Sequence, residues 1–241
     1  MAAIGIALAA PFAIQDYRTF LSYGPGGLPY NVVGWLVTNA MRLISREALS
    51  TRVYDDPGLP FADEPGFLPD SFPPPRSSPR PRLGPHPVPQ RQLEQIPNKA
   101  AVEALLDRFM QLYDRLSTQG LVQLRQSLLE RRHSAMFVSA ELDWHRVAQQ
   151  MRGEITHIHA GLDHSIHVTL HPKDARAVIA SGWGQRHGLD GVQALRRLAG
   201  FSLPVNYVLL YAPRDNAELD VVMTIVKASI AFMTSTRDAL D

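Results

Sequence analysis

Thirteen of the chain's nineteen prolines lie between Pro57 and Pro97, including the run PPPRSSPRPRLGPHPVP at 73–89. Each proline removes a backbone donor and fixes φ, so no helix interior and no central strand can run through this segment. It reads as an extended, polyproline-type connector, wrapped on the surface or locally disordered. Docking to an SH3-type module is the functional alternative for such a composition. Residues 57–97 thus divide the chain into a part at 1–56 and a part at 98–241.

The first part is apolar. Residues 2–14, AAIGIALAAPFAI, form an uncharged run of thirteen, short of the roughly 20 residues that cross a bilayer. The run suits a membrane-dipping anchor, the remainder of a longer spanning helix, or a buried N-terminal helix, and Pro11 interrupts any of them. A second apolar stretch, Val32–Ile44, ends in the charged run Arg42–Glu47. It reads as an amphipathic helix packed on the core, with a lipid surface as the alternative. His86 and His133 read as surface residues.

Charge and composition exclude several classes. With 24 basic and 23 acidic residues, no global field argues for a nucleic-acid partner. The absence of cysteine excludes disulfides, thiolate metal sites and a cysteine nucleophile, and suits an intracellular, reducing location. No glycine-rich phosphate loop or dinucleotide fingerprint is present.

Chemistry concentrates at Gly153–Leu189, which holds six of the nine histidines. Two apolar-polar alternations, Glu154–His159 and Ser165–His171, flank a Gly-Leu-Asp turn and predict a hairpin. Pro172 at a first helical position, Ala175, Val178 and Ile179 at helical spacing, and Gly182 as a stop predict the helix that follows. If His159 faces Ser165, then His157 faces His167. One strand face carries His157, His159, Ser165, His167 and Thr169; the other carries Ile166, Val168 and Leu170. Three imidazoles on one face can bind Zn, Fe or Mn through His157, His159 and His167, act as acid or base, or form a structural cluster. Glu154 falls on the opposite strand parity from His157, so direct contact requires a bulge or a different partner, and His167 is the better-placed orienting group.

The remaining pattern is mixed. Lys99–Arg131 carries two apolar stripes separated by Gly120, predicting two helices. Met136–Val138 tends to β. Val192, Leu195 and Leu198 suggest a short helix, Val205–Tyr211 a strand, and Asp215 with Glu218 a capped start to the last helix. The predicted class is α+β: a small antiparallel sheet with helices packed on one face, preceded by N-terminal helices and the proline-rich connector.

These residues carry a resemblance. The segments Glu154–His159, Ile166–His167, Gly182–His187 (GWGQRH), Leu210–Arg214 (LYAPR) and Ala228–Thr234 resemble the fungal luciferase family. So do Asp16–Phe20 with Gly24-Pro25, and Phe137–Ser139 leading to His145. The resemblance implies that 98–241 is a luciferase-like catalytic domain. It implies an oxygenase that adds O2 to a hydroxylated 2-pyrone such as 3-hydroxyhispidin, or a related enol. A cyclic peroxide forms, CO2 is lost, and light is one outcome. O2 is then the co-substrate, no organic cofactor is required, a divalent metal is the alternative, and residues 2–14 attach to a membrane. A metal-dependent dioxygenase or hydrolase, and a non-catalytic membrane-associated binding protein, remain the competing readings.

Roles follow from that chemistry. An enolic pyrone needs a base near neutral pKa, for which His157 or His159 serves, oriented by Glu154 or His167. His187 and Arg186 are candidate anion stabilisers. Trp183, Gln185, Tyr211, Arg214 and His145 are candidate substrate contacts. Trp183 serves equally as a core residue, His145 more readily as a buried, hydrogen-bonded histidine, and Arg214 as a partner for Asp215 or Glu218.

Overall fold

A computed structural model describes residues 2–193, 200, 202–237 and 239. Six strands form one antiparallel sheet: β1 Val122–Gln126, β2 Ser134–Val138, β3 Glu154–Ile158, β4 Ile166–Thr169, β5 Gly184–Arg186 and β6 Tyr207–Leu210, in the order β1-β2-β3-β4-β6-β5. Around it lie α1 Ala2–Ser22, α2 Val32–Arg42, α3 Lys99–Thr118, α4 Arg146–Gln150, α5 Pro172–Ala180 and α6 Asn216–Thr234. The α+β class and the antiparallel sheet agree with the sequence pattern. The short helix expected around Leu195 and Leu198 lies outside the described residues.

The apolar sheet face builds the core. Ile166, Val168, Val208 and Leu210 are fully buried, and α6 packs against β2, β3 and β4, with α3 beside it. Asp215 starts α6 by accepting from the Glu218 amide at 2.8 Å, and Pro172 opens α5 behind a His171 cap, both as the spacing indicated. One expectation fails: Leu121, Leu124 and Leu128 do not continue a helix. Gly120 at φ +74 ends α3, the Leu121 amide turns back onto the Leu116 carbonyl at 3.0 Å, and Val122–Gln126 pairs with β2. A three-leucine stripe this short does not separate helix from strand.

The polar sheet face is covered by the proline-rich segment, and by irregular structure fastened through side chains. The Arg76 guanidinium is buried, pairs with Glu218 at 3.3 Å and lies over the Trp183 and Tyr211 rings. Arg80 donates to the carbonyls of Gly184 (2.8 Å) and Ile179. A short ladder folds the segment on itself, with the Gly84 amide on the Arg91 carbonyl and the Leu93 amide on the Arg82 carbonyl, both 2.9 Å. Gln90 then reaches the Arg186 carbonyl and Gln92 accepts from the Ala212 amide.

The N-terminal helices join this cover through Asp16. Its carboxylate accepts from Trp35 (2.7 Å), Asn39 (3.1 Å) and Arg42 (3.1 Å) and contacts His86 (3.0 Å). Burial alone would raise its pKa, but these hydrogen bonds outweigh burial and hold it at about 2. His86 is therefore buried, 1% exposed, not a surface residue. Helix α2 seats on the core through Met41, as expected, but several of its apolar residues do not. Gly34 and Thr38 face inward, whereas Val32, Val33, Leu36 and Leu43 are exposed, as are Phe12 and Ile14 of α1. Gly34 allows this approach, because a Cβ there would meet the Pro29 carbonyl oxygen at 1.9 Å. Among the described residues no helix is long and apolar enough to cross a membrane.

Gly184 is the tightest point of the sheet edge: an added Cβ would stand 2.5 Å from the Leu209 carbonyl oxygen and 3.1 Å from Val208. Gly184→Ala is expected to cost about 1–3 kcal/mol through overpacking, read as a lower urea midpoint at unchanged slope. An unaltered midpoint would contradict this seating of β5 on β6.

Candidate active site

Strand register brings the histidines together. His157 pairs with His167 across β3–β4, and the His159 amide donates to the Ser165 carbonyl at 3.0 Å. Ring centroids are 5.2 Å apart for His157–His167, 5.4 Å for His157–His159 and 5.0 Å for His159–His167. His187, just past β5, joins at 5.8 Å from His167. Tyr207 stacks on His167 with centroids 4.6 Å apart and planes 5° from parallel. All four imidazoles are at least 94% buried.

Two rings have their Nδ1 atoms fixed by carboxylates. Glu154 lies 2.8 Å from Nδ1 of His157 and accepts from the Ser127 hydroxyl and the Leu128 amide, both 2.7 Å. The contact that strand parity appeared to forbid exists because β3 bulges. Met136 pairs with Thr156 but Phe137 with Glu154, leaving Ile155 as the extra residue. That extra residue flips the parity and turns Glu154 toward the histidine face. Asp163 and Ser165 stand 3.1 and 3.0 Å from Nδ1 of His159. In a neutral ring that donates Nδ1–H to oxygen, Nε2 carries a lone pair. His187 is the reverse: its Nδ1 accepts from the Leu189 amide at 3.1 Å, so its proton sits on Nε2. Nδ1 of His167 is buried and has no hydrogen-bond partner among the described residues.

Burial keeps His159, His167 and His187 neutral. It holds His159 and His167 well below the usual histidine range, with Arg91 and the neighbouring rings adding to it, and lowers His187 to about 4. Neutral imidazoles are what both ion binding and base catalysis require. One candidate donor atom from each of His157, His159 and His167 lies within 4.8 Å of the others, so the cluster can hold a divalent metal.

The rings line a cavity of about 210 Å³, completed by Tyr207, Arg91 and Glu130 and by apolar side chains such as Met41, Val88 and Leu203. The proline-rich segment forms its roof. Arg91 and Glu130 were not visible as site residues in the sequence. Arg91 looks like one basic residue in a solvated connector, and Glu130 sits in the charged run ERRH. Tyr207 could have been found only by knowing that β6 lies beside β4.

Other expected contacts lie elsewhere. Arg186 pairs with Asp190 at 3.0 and 3.2 Å. Trp183 donates to the Pro74 carbonyl at 2.6 Å under Arg76. The Tyr211 hydroxyl donates to Gln185 at 3.1 Å. Arg214 binds Glu218 and Ser78, which is the structural pairing considered for it. His145 caps α4 and contacts the Phe232 carbonyl at 3.0 Å. Of the GWGQRH run, only His187 reaches the cavity. The physical reason is that β5 is an edge strand, so Trp183 and Gln185 meet the covering segment well to the side of β3–β4.

A buried, oriented histidine cluster in a largely apolar hollow is the candidate active site, and comparison with known proteins shows the family. A Luciferase domain family model matches residues 152–229. The chain is 35% identical to a luciferase of Armillaria ostoyae and 34% identical to one of Armillaria mellea, each over 97% of this chain and 86% of the relative. It is 29% identical to a luciferase of Neonothopanus nambi over 95% of the chain and 84% of that protein. No solved structure matches. The chain belongs to the fungal luciferase family, and it is an enzyme of the luciferase-like oxygenase class.

The depressed histidines set an acid limit. A histidine whose folded pKa lies below its unfolded value binds fewer protons when folded, so its stability contribution is lost as pH falls. His171, lowered to about 4 chiefly by burial, and His187, also at about 4, titrate near 6.5 when unfolded; each withdraws at most about 3 kcal/mol across that window. His145, His159 and His167 act in the same direction. Asp190, raised to about 7 chiefly by burial, acts oppositely, as do Asp163 and Asp174. The histidines outnumber them, so the urea midpoint is expected to fall between pH 6.5 and 4. A flat profile there would contradict neutral burial of the cluster.

Proposed function

We propose that this enzyme adds O2 to a hydroxylated 2-pyrone of the 3-hydroxyhispidin type, or a closely related enol, with loss of CO2 and with light as one outcome. The observation that carries this reading is the convergence of neutral, oriented imidazoles on one cavity with apolar walls. An enol must lose its proton before it can pass an electron to O2. His157, its Nδ1 held by Glu154, presents Nε2 as the acceptor for that proton, with His159 beside it. The Nε2–H of His187 suits a developing enolate oxygen. Tyr207, stacked on His167, offers an aromatic wall for a flat ring. A hollow with few exposed polar atoms shields a peroxide from water.

The convergence of His157, His159 and His167 also favours a second reading, in which the three imidazoles hold a divalent transition ion at the same place. Their donor chemistry fits Zn, Fe or Mn. Such an ion would supply Lewis acidity toward the enolate oxygen. The protein's own contribution is the same in both readings: it orients the rings, keeps them neutral and excludes water.

Oxygen uptake with 3-hydroxyhispidin tests the proposal. His157→Ala is expected to lower turnover by about 10²–10⁴-fold, while Arg214→Gln, outside the cavity, changes it less than threefold. Absence of binding and of uptake across a panel of hydroxypyrones with the wild-type protein would sink this reading.

A further inference from the structure

We propose that Arg131 and Arg132 form a cationic mouth to the histidine cavity, and that Arg131 makes the site selective for substrate in its singly ionised, enolate form. The inference deepens the pyrone reading and rests on it for the identity of the substrate.

Two spaces adjoin here. The inner one is the cavity of about 210 Å³ that the imidazoles line. The outer one is a basin of about 530 Å³, bounded by residues 26–30 on one side and by Gln126, Arg131 and Arg132 on the other. Gly27, Leu28 and Arg131 border both spaces, so a ligand moving from basin to cavity passes between them. At Gly27 the two sides touch through backbone, because an added Cβ would stand 2.5 Å from the Leu129 carbonyl oxygen.

The turn that carries Arg131 is tied to the site itself. The Ser127 hydroxyl accepts from the amides of Leu129 (3.2 Å) and Glu130 (2.9 Å) and donates to Glu154 (2.7 Å), the carboxylate beside His157. The Arg131 amide closes the turn on the Ser127 carbonyl at 3.2 Å. Arg131 itself is left-handed, with φ +66. Glycine adopts that conformation freely and a residue with a side chain does so at a cost. A position suited to glycine here carries a guanidinium.

Charge gives the feature its direction. Arg131 and Arg132 are exposed, and neither side chain forms a hydrogen bond or ion pair among the described residues. Of the described residues bordering the two spaces, Glu130 is the one carboxylate, and Arg91 already neutralises it. The passage therefore carries two uncompensated positive charges beside apolar walls. Such an arrangement focuses the field and raises the local concentration of anions.

The proposed substrate class supplies a matching anion. A 2-pyrone with adjacent ring hydroxyls holds two unlike protons. The hydroxyl conjugated with the lactone carbonyl is a vinylogous acid and ionises in water near neutral pH. Its neighbour is a weaker acid and keeps its proton, which is the one left for Nε2 of His157. The first proton thus goes to solvent before entry and the second to His157, whose imidazolium balances the charge released inside. Arg131 selects the monoanion, and the buried cluster acts on it afterwards.

The test is calorimetric titration of the full-length protein with two matched pairs of probes. One pair is 4-hydroxy-6-methyl-2-pyrone and its 4-methoxy ether; the other is cinnamate and cinnamide. Within each pair the shape is kept and the first member alone is charged near neutral pH. Wild type is expected to bind the charged member at least about fivefold more tightly at low salt, and to lose most of that preference in about 0.5 M salt. Arg131→Gln is expected to cut the preference about three- to tenfold and flatten its salt dependence, with the neutral members changed less than about twofold. Arg131→Lys restores the preference, and Arg132→Gln reduces it less. A merely structural role would instead weaken both members of a pair together, in Arg131→Gln and Arg131→Lys alike. That result would overturn the assignment, as would a wild type indifferent to charge in both pairs or an Arg131→Gln variant with an unchanged preference. Failure of the pyrone reading looks different. Arg131-dependent binding of cinnamate without binding of either pyrone removes that reading and leaves the cationic mouth, whereas pyrone turnover by a wild type indifferent to probe charge removes the mouth alone.

Discussion

Burying four imidazoles on one sheet face is the constraint around which this molecule is arranged. A buried ring nitrogen needs a hydrogen-bond partner, and a buried imidazolium needs an anion. Here the partners are supplied locally and asymmetrically. Glu154 and Asp163 take the Nδ1 protons of His157 and His159, while the Leu189 amide fixes His187 in the opposite tautomer. The outcome is one hollow holding both lone-pair acceptors and an N–H donor, each set by a partner outside the cavity. Preorganisation of this kind has to be built into the fold, since mobile solvent does not provide it.

Building it requires covering a polar sheet face without a helix. A helix presents one apolar stripe and suits the Ile166–Val168 side, where α6 lies. The histidine side needs polar contacts at irregular spacing, and an irregular chain rich in proline provides them. Its prolines keep the backbone extended with fewer donors to satisfy. Its arginines do the fastening: Arg76 on Glu218, Arg80 on strand and helix carbonyls, Arg91 on the N-terminal loop and Glu130. The cavity roof and the fold's second layer are therefore the same segment. Changes in that segment would alter cavity shape before they altered the sheet.

How much of this the sequence disclosed depends on the range of the interaction. The β3–β4 hairpin was legible because alternation and turn residues are local signals, and its register placed His157 opposite His167. The helix starts at Pro172 and Asp215 were legible for the same reason. Glu154 was hidden by a single inserted residue, because a bulge reverses every face assignment beyond it and leaves no mark in a five-residue strand. The strand at Val122–Gln126 was hidden because its leucines fit two periods. Arg91, Glu130 and Tyr207 were hidden for a deeper reason: each reaches the cavity only through contacts between distant segments. An arginine among prolines carries the same local signature whether solvated or, as here, 2% exposed.

Trp183 and Arg214 illustrate the converse. They belong to the most distinctive runs in the chain, yet they pack against the covering segment, away from the histidines. GWGQRH and LYAPR sit where β5 and β6 meet Arg76 and Arg80, and they form the clamp that holds the roof. Gly184 admits the close strand approach, Trp183 and Tyr211 receive the Arg76 guanidinium, and Glu218 neutralises both Arg76 and Arg214. Seen this way, a distinctive motif in this family can be a fastening whose chemical consequence is indirect. It fixes where the covering segment sits over the sheet edge.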